Sequence, residues 1–379
     1  MTGDRRSAGE KVTVIIPAFN AEATIREALD SVSDQSHSEL EVFAVDDGSS
    51  DGTADAIADR ARLDPRIRLV RQANSGVAAA RNAGLGQATG RYAAWLDADD
   101  LWHPDKIAAQ LEVFRSALVP LGLVYTGYRL IDVEGVIQPN FRTLADISGH
   151  TLCRQIGTTY FTNVSSIMVP VDLARRCGGH DPLLRAEGIE GAEDLLLQLR
   201  ISARAPVGMR REAYVAYRIH GANMSRAIGR AARSNLRVLE WIAGEVPDVP
   251  DRVLRLGRGR MAGFALQMIR AGDLVGGLRL LAQLGRGQPR ETSTTLMLIL
   301  RWVAASSAGR HAADPAVGTF FRGADPTTVP WQGHMLIRRD DLRSLIAADE
   351  DRLAASHGTG PTGPAAPSDL RIEDGVTTP

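Results

Sequence analysis

Over its first hundred residues the chain alternates short apolar runs with amphipathic stretches, and that alternation sets the expected fold. VTVIIP at 12–17 is a β-branched run closed by Pro17, the pattern of a buried strand. In the following AEATIREALDSVSDQ, Ile25, Leu29 and Val32 fall at i, i+4 and i+7 on one helical face, with Asn20 placed to cap it and Glu22 in its first turn. The same beat recurs. LEVFAV at 40–45, IRLV at 67–70 and YAAWL at 92–96 read as strands, with GTADAIADRARL and VAAARNAGLGQA as the helices between them. Strands and helices in strict alternation, with crossovers of ordinary length, predict an α/β fold on a mostly parallel sheet flanked by helices.

Beyond residue 120 the pattern is less regular. LVYTGYRLI at 123–131, VSSIMVP at 164–170 and YVAYRIH at 214–220 read as strands, and Asp194 to Ala203 as a helix. Residues from 225 to 356 read as helical, and RMAGFALQMIRAGDLVGGLRLLAQLGR predicts an antiparallel helix pair turned at Ala271-Gly272-Asp273. The expected organisation is a flexible N-terminus at 1–10, a sheet domain at 11–225, a helical C-terminal region at 226–356 and a tail at 357–379 too poor in apolar residues to fold.

Composition narrows the partners. Among 379 residues, 44 basic and 45 acidic side chains leave a formal net charge of -1, which excludes a nucleic-acid partner recognised by global charge. Cys153 and Cys177 are too few for a disulfide scaffold or a four-ligand zinc site and fit a reducing compartment. The N-terminal apolar run is too short for a signal peptide, and no stretch reaches the 18 apolar residues of a membrane span, so a cytoplasmic location is expected. LMLILRWVAA at 296–305 carries Arg301 and reads as a packed helix, with an in-plane membrane helix as the second reading. Arg226, Arg230, Arg233 and Arg237 recur at helical spacing. They read as a solvated face, with peripheral contact to lipid phosphates at the inner face of the membrane as the second reading.

Four polar clusters follow the four strands: Pro17 to Glu22, Asp46-Asp47-Gly48-Ser49-Ser50, Asn74-Ser75-Gly76 and Asp97-Ala98-Asp99-Asp100. In such sheets the ligand crevice lies outside the carboxyl ends of the strands, so the clusters share one rim. Asp-x-Asp at a strand end holds hard oxygen ligands suited to Mg²⁺ or Mn²⁺ shared with substrate phosphates, though Asp97 to Asp100 could equally cap the helix starting near Pro104. Asp46 and Asp47 could accept hydrogen bonds from a nucleobase or ribose, or cap the next helix. Gly76 admits close backbone approach, and Arg81, a turn later, could meet a phosphate bidentately or pair with a carboxylate. Glu193-Asp194 open an apolar helix, either as caps or with one carboxylate as a general base. His220 precedes a glycine and could serve as a third metal ligand. Neither GxGxxG nor GxxxxGK[ST] is present, so a nucleotide would be held another way.

Together VTVIIPAFNAE, VFAVDDGSSDGT, NSGVAAARNAG, YAAWLDADD, GAED and YRIHGANMS, spanning residues 11 to 226, resemble the family 2 glycosyltransferases, inverting enzymes of GT-A fold. The resemblance implies a nucleotide-sugar donor (a UDP-, GDP- or dTDP-sugar), a divalent metal and a single displacement onto a hydroxyl acceptor in a glycan, glycolipid or small molecule, lipid-linked acceptors included. In that pattern Pro17, Phe19, Asn20 and Glu22 border the nucleoside, Asp47 contacts the base and Asp46 supports it. Asp97 faces the sugar or ribose, Asp99 ligates the metal with Asp97 beside it, His220 assists at metal and diphosphate, and Asp194 is the base, with Glu193 as the alternative. Two departures concern the acceptor side: Leu195 follows the Glu-Asp pair where an aromatic is common, and Gly178-Gly179-His180-Asp181 carries histidine where the family has phenylalanine. The QxxRW pattern of processive synthases is only echoed at 198–201, which favours single additions. The competing readings are a non-catalytic nucleotide-sugar or partner-binding module and, less well matched, a nucleotidyltransferase, which would need a basic Gly-rich loop where PAFNAEAT stands.

Overall fold

The computed structural model describes residues 10–138, 148–158, 163–188, 190–221, 228–287, 289–294, 296–297 and 339–356. The strands are Val12–Ala18 (β1), Leu40–Asp46 (β2), Ile67–Arg71 (β3), Tyr92–Trp95 (β4), Leu101–Trp102 (β5), Leu123–Ile131 (β6), Ile137–Gln138 (β7), Ile167–Pro170 (β8) and Val207–Arg218 (β9). Among the described residues they make one sheet in the order β3-β2-β1-β4-β8-β6-β9-β5, with β7 paired to β6. β3, β2, β1 and β4 are parallel, as the alternation implies. β8 then pairs antiparallel with both β4 and β6, and β9 runs parallel to β6, so the other half of the sheet is mixed.

β1, β2 and β4 are buried throughout because helices cover both faces, whereas β3, at the sheet edge, is buried only at Ile67. Val12, Val14, Ile16, Val42 and Ala44 pack on one side with Ile25, Leu29, Val32 and Ile57, while Ile15, Ala93 and Trp95 pack on the other with Leu85, Leu197 and Ile201. At the strand starts, Glu41 ties the sheet together. It accepts hydrogen bonds from Thr13 Oγ1 at 2.7 Å, Thr89 N at 2.6 Å and Gly90 N at 3.0 Å, and pairs with Lys11 at 2.8 Å. Burial alone would raise this carboxyl, but those bonds hold it at about 2. The functional end of the strands is thus opposite a rigid, ionised anchor.

Several local expectations need correction. Asn20 does not cap the first helix, Ile25–Ser33; its N-cap is Thr24, without a side-chain cap bond. Asn20 instead takes φ 49, the left-handed region that asparagine tolerates, and ties its loop to the next one: Ser50 N donates to Asn20 Oδ1 at 2.9 Å and Asn20 N donates to Ser49 Oγ at 3.0 Å. The first three residues of VSSIMVP form a 3-10 turn, Val164–Ser166, before β8. The last strand starts at Val207 and stops at Arg218, so His220 lies just past it.

The described C-terminal helices are Ile228–Glu245, Asp251–Arg260, Ala262–Arg270, Leu274–Gly287 and Arg339–Ser356. The expected helix pair turns at Gly272, φ 93, and Asp273 Oδ1 accepts from Gly276 N at 2.8 Å to start the second helix. Its Gly277 sits so close to Ala265 O that a Cβ there would lie 2.6 Å away, which explains the small residue. Asp349 of the last helix is buried and accepts from Cys153 N at 2.6 Å, Arg154 N at 3.2 Å and Arg154 Nε at 2.9 Å, so it caps the helix Leu152–Thr158 from a distant part of the chain. Cys153 and Cys177 are buried free thiols. Of the arginine stripe, Arg237 pairs with Glu187 and Glu240 and lies over Trp241, while Arg226 falls outside the described residues. Also outside them are residues 1–9, the boundary near 225, most of the 296–305 segment and the tail at 357–379.

Candidate active site

The rim above β1 to β4 gathers the polar clusters, each loop pinned by the next. Asp47, 3% exposed, accepts from Gln72 Nε2 at 2.7 Å and Ser75 N at 2.8 Å through Oδ1, and from Gly76 N at 2.8 Å through Oδ2. It therefore holds the loop before the helix Val77–Gln87. Gly76 has φ 89, and a Cβ on it would lie 2.4 Å from Arg185, whose guanidinium crosses this loop and donates to Asn74 Oδ1 at 2.7 Å. Asp46 is buried, takes Ser49 N on Oδ1 at 3.0 Å and has Arg71 3.4 Å from Oδ2. Glu22 Oε2 accepts from Gly52 N at 3.0 Å. Pro17 is buried near the end of β1, which runs on to Ala18, and Phe19, just past the strand, is 51% exposed, an aromatic face open to a ligand.

Arg81 is not available to a phosphate. It is 2% exposed and both arms are committed: Nη1 donates to Glu193 Oε1 and Nη2 to Asp97 Oδ1, each at 2.7 Å. The expected bidentate phosphate contact gives way to the alternative reading, a carboxylate pair. Two buried or half-buried carboxylates from distant segments need a counter-charge, and Arg81 supplies one to both.

The acidic pair opening the helix Glu193–Ser202 separates into two environments. Glu193 is 4% exposed, with Oε1 on Arg81 and Oε2 accepting from Gly191 N at 3.1 Å. Asp194 is partly exposed, and its Oδ1 accepts from Leu195 N at 2.8 Å. Burial, then the neighbouring charge of Glu193, pushes the Asp194 carboxyl up to about 7, against the opposing charge of Arg81. Similar residues one position apart thus differ: one is locked in an ion pair and the other poised near neutrality.

Asp97, Asp99 and His220 do not form one cage. His220 Nε2 and Asp99 Oδ2 are 2.7 Å apart, whereas Asp97 turns to Arg81. Burial and the charge of Asp97 raise the Asp99 carboxyl, and His220 opposes this. Among the described residues no group of three or more His, Cys, Asp and Glu side chains gathers as a metal site. Asp99 and His220 are hydrogen-bonded to each other; as a carboxylate and an imidazole they are ligand types a divalent ion accepts in place of that bond, and such ions take few protein ligands when phosphates complete the shell.

Residues 13–128 match the glycosyl transferase family 2 model. Over residues 13–128 the chain is similar to the family 2 glycosyltransferases. A Bacillus subtilis protein named for teichuronic acid biosynthesis, the glycosyltransferase TuaG, is 43% identical over 125 residues, covering 33% of this chain and 49% of that protein. The chain spans half or less of the length of the curated relatives it matches. Two solved structures share the fold. The Staphylococcus aureus protein TarS, residues 1–349 in complex with UDP-GlcNAc, has TM-score 0.54, 17% identity and 93% coverage of both chains. The Pyrobaculum calidifontis mannosyltransferase PcManGT, in complex with GDP-Man and Mn²⁺, has TM-score 0.51, 21% identity and coverage of 79% of this chain and 87% of that one. The sheet domain therefore has the α/β GT-A type fold expected from its motifs, followed by helices.

The motif pattern does not single out Ser165 and Arg218, which hold the Asp97–Asp100 loop of this domain. Asp97 N donates to Ser165 Oγ at 3.1 Å, Ser165 Oγ donates to Asp100 Oδ2 at 2.6 Å, and Arg218 N donates to Asp100 Oδ1 at 3.0 Å. Nor does it reveal His180 as a core residue. Fully buried edge-on to Trp95, at 5.1 Å between ring centroids, it is kept neutral first by burial and then by the charge of Arg81. Its place in the core explains why phenylalanine can stand there in the family pattern.

Proposed function

We propose that the chain is a metal-dependent inverting glycosyltransferase that moves a sugar from a UDP-, GDP- or dTDP-sugar to a hydroxyl acceptor, with Asp194 as general base. The observation that carries this is the division of labour at the Glu193-Asp194 pair. A base must have an accessible oxygen and a pKa near the working pH. Asp194 meets both conditions, whereas both Glu193 oxygens are already bonded. In the step, the acceptor oxygen forms a bond to the anomeric carbon while the bond from that carbon to the diphosphate oxygen breaks. The electron pair leaves on the diphosphate, and the acceptor proton passes to Asp194. Attack from the face opposite the leaving group inverts the centre.

Asp99 and His220 are the residues that would hold a Mn²⁺ or Mg²⁺ ion, which would offset the charge of the departing diphosphate. Asp97, anchored on Arg81, faces the sugar or ribose. Phe19 offers its exposed ring to the base, with Pro17, Asn20, Glu22 and Asp46 bordering the nucleoside. Asp47 and Gly76 serve the same subsite through the loop that Asp47 pins. Among the described residues no helix is long and apolar enough to cross a membrane. For a peripheral contact with a lipid-linked acceptor we assign the helix Leu274–Gly287, whose Leu274, Val275 and Leu278 are exposed beside Arg279 and Arg286. The test of the proposal is release of nucleoside diphosphate from a panel of sugar donors with Mn²⁺, for the wild-type chain and Asp194→Asn. Turnover lost by roughly 10²–10⁴ with donor affinity retained supports it; unchanged turnover in Asp194→Asn overturns the base assignment.

A further inference from the structure

The Asp97–Asp100 loop is held at both ends by groups outside the proposed chemistry. At its start, the Asp97 N–H donates to Ser165 Oγ, and that hydroxyl in turn donates a hydrogen bond to Asp100 Oδ2 at the loop's end. Asp100 is fully buried and touches the donor site through neither oxygen: its second oxygen takes the Arg218 N–H. Arg218, 3% exposed, then spreads its guanidinium over the same loop and two further segments. Nε donates to Asp99 O at 2.9 Å, Nη1 to Val133 O at 2.9 Å, and Nη2 to Glu27 Oε2 at 2.6 Å. His220 stands two residues beyond Arg218 on the same strand exit.

We infer that Ser165, Asp100 and Arg218 are positioning residues that preset the separation of Asp99 and His220 for a divalent cation, and that Arg218 links this loop to the β6–β7 turn. The inference rests on the proposed function for its cation and on geometry alone for the staple. Three physical facts support it. Asp99 and Asp100 are adjacent, so fixing the Asp100 side chain and the Asp99 carbonyl fixes where the Asp99 carboxylate can reach. Arg218 bonds to both of those groups while its own chain carries His220, so one residue sets both partners of the 2.7 Å pair. The loop is also rich in negative charge, and without Ser165 the Asp97 N–H and one Asp100 oxygen would lose their partner away from water.

The test uses Ser165→Ala and Arg218→Lys, with Ser166→Ala as control. Ser166 is an adjacent, equally buried hydroxyl that donates to Asn163 O, outside the loop. Ser165→Ala removes one atom and leaves the core volume nearly intact. Two readouts are taken on the full chain: hydrogen exchange of the peptide covering residues 96–101, and the Mn²⁺ concentration that half-saturates Mn²⁺-dependent binding of a nucleoside diphosphate. The expected result is exchange at least about 10-fold faster in that peptide for Ser165→Ala and Arg218→Lys, with β1 and β2 peptides unchanged. The Mn²⁺ requirement should rise about 10-fold or more, with metal-free nucleotide affinity unchanged; Ser166→Ala should match the wild type in both. Wild-type exchange in Ser165→Ala, or an equal effect in Ser166→Ala, overturns the staple. A wild-type chain that binds no Mn²⁺ overturns the function reading and the cation half of the inference together, while the exchange data still decide the staple.

Discussion

Replacing Asp194 by asparagine should cost activity and increase stability, and the stability gain should depend on pH in a defined way. In the folded chain the Asp194 carboxyl is pushed from an ordinary value of 3.8 up to about 7. The folded state therefore binds this proton more tightly than the unfolded state. The resulting stability cost appears as pH rises past about 4, grows up to about 7, and is constant above that. The two values differ by about 3, and at about 1.4 kcal/mol per pH unit the ceiling of the cost is about 4 kcal/mol at pH 8. Asparagine keeps an oxygen for the Leu195 N–H and carries no charge to desolvate. Asp194→Asn should thus melt several degrees above the wild type at pH 8, and within about a degree of it near pH 4, while turnover falls by roughly 10²–10⁴. Parallel melting curves and donor-turnover assays at the two pH values are the measurement. A variant less stable at pH 8, or stabilised equally at both, would refute the claim that the surroundings of Asp194 raise its carboxyl to about 7.

Other substitutions test separate contacts. If Asp194 is the base, wild-type kcat/KM should fall about tenfold per pH unit below about 7 and level off above it, read from a pH–rate profile. Arg81→Ala would leave Glu193 and Asp97 without their buried counter-charge, and urea titration should show a loss of about 3–5 kcal/mol. Asp47→Ala removes the acceptor for Gln72, Ser75 and Gly76; the cost should be about 1–3 kcal/mol, with weaker nucleotide binding by calorimetry. Asp349→Ala strips the cap from the helix Leu152–Thr158, and exchange of the Cys153 and Arg154 amides should accelerate with little change at β1 and β2.

Legibility in the sequence tracked the range of the interactions. The parallel half of the sheet could be read because each strand and its helix declare themselves within about fifteen residues, through apolar periodicity and a polar strand end. The mixed half could not: β5 and β7 are two residues each, too short to show a period, and β9 takes its start from pairing with β6, Val207 against Leu123, 84 positions away. At the site, the strand ends correctly marked where acidic residues would converge. What residue types alone could not show was how those groups partner one another. Arg81 reads as a phosphate ligand until Glu193, 112 positions away, is seen to occupy it. Asn20 reads as a cap until Ser50 takes its carboxamide oxygen. Ser165 and Arg218 give no local sign of their role, because their partner Asp100 lies 65 and 118 positions distant. The Glu193-Asp194 choice was open for the same reason: neighbours along the chain, they differ only in what the fold places beside them.

The central claim is tested most directly by calorimetric titration of the chain with UDP-, GDP- and dTDP-sugars, in Mn²⁺ and in EDTA, for the wild type and Asp99→Ala. Binding of one nucleotide class that depends on Mn²⁺ and is lost in Asp99→Ala is the expected result. Absence of binding to every donor in both conditions, or undiminished Mn²⁺-dependent binding in Asp99→Ala, would contradict it.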